Sequence, residues 1–390
     1  MLASAPSFTD SARPLKDVDA LTPAWLSAAL GGGCLVDRVR IERIGVGEGL
    51  ASRLFRLCPS YAGSRTGPQS LVLKLLTDNT ELLRVLNPDV VFREARFYRD
   101  LAAQVDQPGP VVYFSDFDVQ ARCLTILMED LPGLRYGVEA SVAESEAAMR
   151  TLARVHARFW QHPQLDAPWL QPVANTDLDL AWLIPRAIEA AVRDGYGQSH
   201  LTRAVRVIET LVPRIAAGEA PPTRARSLCH GDFHRNNSVL QPDGRFVVFD
   251  WQMIEAGNPL RDVAYWLLTS LTVEQRRAQQ RGLLALYHHT LIAEGVRNYG
   301  RFALMQDFRL GMLENLIKVY CIPAVVQADQ ALVMTLRERV EAASLDMHTI
   351  AIAHLMRAAL NVLGWWHGAQ QQRHTSLATA AIQRQGTQHG

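Results

Sequence analysis

Lysine is nearly missing from this chain: Lys16, Lys74 and Lys318 are the only three among 40 basic side chains. Arginine carries the rest of the positive charge, so a lysine placed inside an apolar run needs a specific partner. Net charge is lacking too. The 40 basic and 39 acidic residues leave +1, and no global field draws the molecule to nucleic acid or to an anionic membrane. Cysteine is sparse. Cys34, Cys58, Cys123, Cys229 and Cys321 show no CxxC spacing and are odd in number, which argues against a disulfide framework and a structural zinc site and fits a reducing cytoplasm. No run reaches the roughly 18 apolar residues of a membrane span. The stretch from Met1 to Pro14 has neither the basic start nor the apolar core of a secretory signal.

What is present is a long chain with material for a core. At 390 residues, 48% hydrophobic and 20% charged, it reads as folded protein of two or three domains or lobes. Thr22 and Pro23 open a short helix that Gly31 to Gly33 close. Alternating segments follow at Val39–Ile44, Leu54–Leu57 and Leu71–Leu76, then a helical stretch from about Val91 to Ala103, then Val111–Phe114 and Leu124–Met128. The strands predict one antiparallel sheet. After Leu131-Pro132-Gly133 the composition turns to Ala, Leu, Arg and Glu at helical spacing, at Val142–Phe159, Leu178–Val192 and His200–Ile215, with Pro185 expected to kink or split the middle helix. A strand-rich island at Ser227–Asp250 interrupts the helices, which resume from Leu260 to Ala369. This divides the chain into an amino-terminal lobe at 1–131, a helical lobe at 132–370 and a frayed tail at 371–390.

The chemistry concentrates in His230-Gly231-Asp232-Phe233-His234-Arg235-Asn236-Asn237, followed by the β-rich run Phe246 to Phe249 and then Asp250-Trp251-Gln252. Phosphoryl transfer needs a carboxylate to accept a hydroxyl proton, and an amide with a second carboxylate to hold Mg²⁺ on nucleotide phosphates. The spacing from Asp232 to Asn237 is that of a kinase catalytic loop, H-R-D-x-x-x-x-N, and Asp250 stands where the metal carboxylate belongs. Upstream, Gly45-Val46-Gly47-Glu48-Gly49 lies between two expected strands, where only backbone can approach a phosphate. Lys74 sits inside Leu71–Leu76 and needs a phosphate or a carboxylate; Glu94, in the next helix, can supply the latter.

Taken in order, the glycine loop, strand lysine, helical glutamate, Leu127-Met128-Glu129-Asp130-Leu131, Leu152-Ala153-Arg154-Val155-His156, the His-Gly-Asp loop, Phe249-Asp250-Trp251-Gln252 and Asp262-Val263-Ala264-Tyr265 resemble the aminoglycoside phosphotransferase and choline kinase superfamily. The chain is most similar to its ecdysteroid-kinase-like (CHK kinase-like) branch and bacterial phosphotransferase relatives, over roughly residues 20–370. The resemblance implies an α+β, bilobal protein-kinase-like fold, with a small antiparallel-sheet lobe and a larger, mostly helical lobe. It implies an ATP- and Mg²⁺-dependent O-phosphotransferase acting on a hydroxyl-bearing small molecule. Asp232 would be the catalytic base and Asn237 and Asp250 the Mg²⁺ ligands. Lys74, paired with Glu94, would hold the nucleotide; Gly45, Gly47 and Gly49 would roof its phosphates, and the backbone from Glu129 to Leu131 would meet the base. Asp262 would brace the loop. The metal aspartate is followed by Trp251-Gln252 instead of Phe-Gly, and no Ala-Pro-Glu segment follows, which disfavours peptide substrates.

Two other functions use the same residues. His230-x-Asp232-x-His234 is also a ligand pattern for a metal-dependent hydrolase, since alternate side chains of an extended segment share a face. A kinase fold that binds ligand without catalysis is the other, against which Asp232, Asn237, Asp250 and Lys74 are all intact. His156, flanked by Leu152, Val155 and Phe159, reads as a hydrogen-bonded core histidine, Tyr265 and Trp266 as core, and Arg276, Arg277 and Arg281 as a solvated helix face.

Overall fold

The computed structural model describes residues 12–45, 52–78, 88–105, 109–134, 137, 139–171, 180–211, 213, 225–321, 330–355 and 357–358. Gly47, Gly49 and the tail at 371–390 lie outside them. Helix α1 (Pro23–Leu30) begins as its sequence directs: Thr22 accepts the Trp25 N–H at 3.1 Å, Pro23 opens the first turn, and Gly31, at φ 63°, ends it. Strands β1 (Leu35–Ile44), β2 (Ser52–Ala62), β3 (Leu71–Leu76), β4 (Val112–Asp118) and β5 (Cys123–Glu129) form one sheet in the order β1-β2-β3-β5-β4. Every neighbouring pair is antiparallel; β3 spans the expected Leu71–Leu76, and the other four run longer than their alternating centres suggested.

The face on which Lys74 lies follows from this register. Leu71, Leu73 and Leu75 are fully buried and pack with Leu26 and Ala29 of α1, Leu57, Phe114 and Leu127. Side chains alternate across a strand, so Lys74 projects from the opposite face. Its cross-strand neighbours there are Leu54 and Ile126. Gly45, just beyond β1, lies over Leu54: a β-carbon at Gly45 would stand 3.3 Å from Leu54 Cδ1.

Between β3 and β4 come α2 (Pro88–Val91), α3 (Arg93–Arg96), a π turn at Phe97–Leu101 and a 3₁₀ turn at Ala102–Gln104. A single regular helix was expected across this stretch. Apolar spacing alone does not separate the three windings. Further on lie α4 (Val142–Arg158), with a Ser141/Glu144 capping box, α5 (Leu180–Arg193) and α6 (His200–Glu209). Helix α5 continues through Pro185 as one element. The strand-rich island resolves into β6 (Ser227–Cys229), β7 (Ser238–Leu240) and β8 (Phe246–Val248), with β9 (Glu255–Gly257) beyond Asp250; β6 pairs with β9 and β7 with β8. Helices α7 (Leu260–Thr269), α8 (Val273–Ala293), α9 (Arg301–Cys321) and α10 (Gln330–Asp346) complete the described elements.

The chain gathers into two compact units, one of Met1–Asp177 with Arg224–Asn315, the other of Leu178–Thr223 with Leu316–Gly390. The first holds the described candidate residues Gly45, Lys74, Glu94, Glu129, Leu131, Asp232, Asn237 and Asp250. In the second, Glu341 of α10 caps α6 by accepting the N–H groups of His200 and Leu201 at 2.6 and 3.0 Å. Arg276 departs from the expected solvated face: it is buried, with its guanidinium on Gln280 at 3.3 Å. Among the described residues no helix is long and apolar enough to cross a membrane.

Candidate functional site

The buried lysine has found two carboxylates. Lys74 Nζ lies 2.5 Å from Glu94 Oε2 and 2.7 Å from Asp250 Oδ1. The Lys74 and Glu94 side chains are 8% and 2% exposed, and that of Asp250 28%. Burial alone would push the ammonium to lose its proton, but Asp250 and Glu94 outweigh it and hold Lys74 above its ordinary range. Burial, with Asp250 adding to it, raises the Glu94 carboxyl against the pull of Lys74.

Glu94 is held in turn by its surroundings. The Trp251 backbone amide lies near its carboxylate and pulls against the upward shift, and the Trp251 ring, itself buried, stacks on Phe97 with centroids 4.0 Å apart and meets His230 at a tilt with centroids 4.6 Å apart. The Trp251 indole N–H donates to the Val248 carbonyl at 3.0 Å. The adjacent Arg93 is buried too and donates to the carbonyls of Ile254 at 2.9 Å and Gln171 at 2.6 Å. The segment carrying Glu94 is thereby tied to the stretch that follows Asp250. Asp250 sits at φ 63°, ψ 58°, a left-handed conformation that aspartate tolerates better than most residues.

The His-Gly-Asp loop is built from the other side. Asp262, at the start of α7, accepts the N–H groups of His230 at 2.6 Å and Gly231 at 3.0 Å. His156, wholly buried, stands between the Tyr287 hydroxyl at 2.9 Å and Asp262 Oδ2 at 3.4 Å. The core reading of His156 and the bracing reading of Asp262 both describe what is found. His230 Nε2 meets the Phe249 carbonyl at 3.1 Å, and its Nδ1 accepts the Asp232 N–H at 3.2 Å. Burial keeps this ring neutral by lowering its pKa. At the far end of the loop, Asn237 Nδ2 donates to the Asp232 carbonyl at 3.1 Å and to Asp232 Oδ2 at 3.2 Å. The Asn237 carbonyl accepts the Phe249 N–H at 3.0 Å, which fixes Asn237 beside the residue that precedes Asp250.

Gly231 cannot be replaced in this loop. It adopts φ 81°, and a β-carbon there would fall 2.2 Å from the Met253 carbonyl oxygen. Gly231→Ala should therefore cost about 3 kcal/mol or more of folding stability, read as a lower unfolding midpoint in urea; an unchanged midpoint would contradict the packing described.

Of the expected site residues, the structure brings Lys74, Glu94 and Asp250 together and, alongside, Asp232 and Asn237. Gly45 lies on the Lys74 face of the sheet. Glu129 ends β5 with its side chain on Arg245, at 2.7 and 3.0 Å, and its N–H on the Val111 carbonyl at 2.9 Å. Leu131 is buried with Val239 and Val247, beside the partly buried Leu134 and Phe249. The metal-cluster reading of His230, Asp232 and His234 fails. Both His230 nitrogens are spent on backbone groups and the residue is 1% exposed. Among the described residues no group of three His, Cys, Asp or Glu is placed to hold a metal ion. Three contributors escaped the sequence reading. Arg93 went unremarked in a charged helical stretch, and Trp251 was read only as part of the family motif. Tyr265, read as core, is buried and meets the His234 ring edge-on, with centroids 5.9 Å apart, and the nearby Asp232 charge adds to burial in raising its pKa; its place three residues after Asp262 was the available signal.

A sequence model of the phosphotransferase enzyme family (APH) matches residues 65–304, more than half of the 390-residue chain. Mouse acyl-CoA dehydrogenase family member 10 is 29% identical over 149 residues, 36% of this chain and 13% of that protein, so the chain spans only a small part of that relative's length. A Ralstonia eutropha JMP134 protein provisionally described as an aminoglycoside phosphotransferase superposes with a TM-score of 0.51 at 17% identity, covering 84% of this chain and 97% of the other. A microcompartment-associated aminopropanol kinase gives 0.50 at 12% identity, covering 81% and 94%. At such identities the likeness concerns the fold, which is the α+β, bilobal protein-kinase-like one, with a small antiparallel-sheet lobe and a larger, mostly helical lobe. The family match takes in Lys74, Glu94, the His-Gly-Asp loop and Asp250, and the chain accordingly belongs to the phosphotransferase enzyme family.

Proposed function

We propose that this protein transfers the γ-phosphoryl group of ATP, with Mg²⁺, to a hydroxyl of a small molecule in the cytoplasm. The observation that carries this reading is the Lys74 ammonium held between Glu94 and Asp250. A lysine so placed presents a fixed, fully charged donor to nucleotide phosphates, which is what positioning for in-line transfer requires. Asp232 takes the acceptor's proton and orients the hydroxyl for attack. Gly45, Gly47 and Gly49 cover the phosphates. The Glu129 N–H is committed to β4, so the edge of the base is read by backbone beyond it, toward Leu131, over the apolar surface of Leu131, Val239 and Val247. In this assignment residues 1–131 form the nucleotide lobe, and 132–370 carry the loop and the acceptor site.

Asn237 and Asp250 would hold the metal. The Asn237 amide nitrogen is engaged by two oxygens of Asp232, which leaves its carbonyl oxygen as the donor atom, and Asp250 adds a carboxylate. Oxygen donors of this kind suit Mg²⁺. When bound, the ion would supply neutralisation of phosphate charge. The acceptor classes to try first are those of the two structural neighbours, aminoglycosides and amino alcohols.

Calorimetry with ATP, with and without Mg²⁺, tests the reading on wild type and on Asp250→Ala. Binding that depends on Mg²⁺ in the wild type and weakens at least tenfold in the variant is expected, about 1.4 kcal/mol. No binding of ATP to the wild type under either condition would overturn it.

A further inference from the structure

We propose that His234 is a positioning residue for Asp232, its Nε2–H turned to the carboxylate that takes the acceptor's proton. This rests on the reading of Asp232 as base. The place of the ring's proton follows from its other nitrogen. His234 is the N-cap of the 3₁₀ turn Arg235–Asn237, and its Nδ1 accepts the Asn236 N–H at 3.2 Å. A backbone amide can only donate, so Nδ1 is bare and the neutral ring carries its proton on Nε2. Nε2 lies 3.3 Å from Asp232 Oδ2. The ring therefore presents a donor to the base. It cannot relay the acceptor's proton onward without giving up the Asn236 cap.

The ring is seated against a separate element. It meets the buried Tyr265 of α7 edge-on, with centroids 5.9 Å apart. One turn earlier on the same helix, Asp262 holds the loop backbone through the N–H groups of His230 and Gly231. Asn237 donates to Asp232 Oδ2 at 3.2 Å, and its own N–H goes to the His234 carbonyl at 3.0 Å. His234 thus fixes the residue that shares its task. Two nitrogens, one from each side chain, converge on a single oxygen and set the plane of the carboxylate. A base about one quarter exposed would otherwise be free to turn about its two side-chain torsions.

His234→Asn keeps an acceptor at the place of Nδ1, and so the cap, but deletes the donor toward Asp232; His234→Gln returns an amide N–H near the place of Nε2. ADP formation from ATP and Mg²⁺ is followed with water, an aminoglycoside or an amino alcohol as acceptor, and affinity by calorimetry with a non-hydrolysable ATP analogue. In His234→Asn kcat should fall about tenfold, with the KM for ATP and the analogue's affinity within about twofold, and His234→Gln should recover most of the lost rate. NMR of protein carrying nitrogen-labelled histidine needs no acceptor. With the His234 signal assigned by its loss in His234→Asn, the neutral ring should be protonated on Nε2. A wild-type kcat in His234→Asn would overturn the proposal, as would a glutamine variant no faster than the asparagine one or a neutral ring protonated on Nδ1. Near wild-type turnover in Asp232→Asn would instead remove the base assignment itself, and this proposal with it.

Discussion

Asp232→Asn should slow phosphoryl transfer roughly 10³-fold, within the usual range for loss of a general base, while ATP affinity stays within a few-fold. The separation follows from where Asp232 lies. Its carboxylate is bound by Asn237, with His234 Nε2 3.3 Å away, whereas Lys74 joins Glu94 and Asp250. An asparagine can turn its carbonyl oxygen to the donors that Asp232 Oδ2 now serves, so the loop keeps its shape. What it cannot do is accept a proton. The loss of about 4 kcal/mol of transition-state stabilisation should fall on kcat, leaving the KM for ATP nearly unmoved. Steady-state ADP formation alongside nucleotide calorimetry decides it. A variant turning over at close to the wild-type rate would mean that the proton leaves by another route.

How far the sequence announced this site depended on how local each signal was. Asp232, Asn237 and Asp250 were legible because the chemistry fixes their spacing along the chain, and the loop that joins them is short. Lys74 stood out because an ammonium amid Leu71, Leu73 and Leu75 is costly without a partner, and the strand register then set its face. The five-stranded sheet was equally plain, since alternation and turns are neighbour-to-neighbour patterns. Arg93 was not legible. Its partners, Gln171 and Ile254, lie 78 and 161 positions away, and nothing in a charged helical stretch marks which arginine turns inward. Arg276 misled for the same reason. The π turn at Phe97–Leu101 escaped because its winding keeps the apolar spacing of a helix. The metal-cluster reading was allowed by alternation along the loop. It failed on hydrogen bonds that alternation does not record, those that commit both nitrogens of His230 to backbone.

Lys74→Met should reduce turnover by roughly 10²-fold or more, as loss of a preorganised charge at a phosphoryl-transfer site does, and should also destabilise the fold. Methionine has nearly the length of lysine and keeps the apolar stem between Leu54 and Ile126, so packing is not what is tested. The substitution removes the cation that Glu94 and Asp250 share. Loss of one partner from a buried pair typically costs about 3–5 kcal/mol, and the low end applies here because Asp250 is partly exposed. Glu94 is the carboxyl that must adjust. Burial and Asp250 already push it upward, and without the opposing pull of Lys74 it should bind a proton more tightly still. A carboxyl whose pKa is higher folded than unfolded contributes stability at low pH and loses it as pH rises through the folded value. The variant should therefore become progressively less stable relative to wild type as pH is raised from the acid side, with Glu94→Gln in the same background flattening that trend. Lys74→Arg, which keeps the charge on a longer and planar group, should recover part of the stability without recovering the rate, since its fork does not fit a site that holds one ammonium 2.5 and 2.7 Å from two carboxylates. Urea denaturation across pH and ATP turnover on the three variants measure both effects. Unaltered ATP affinity and turnover in Lys74→Met would show that the lysine braces the lobe and does not meet the nucleotide.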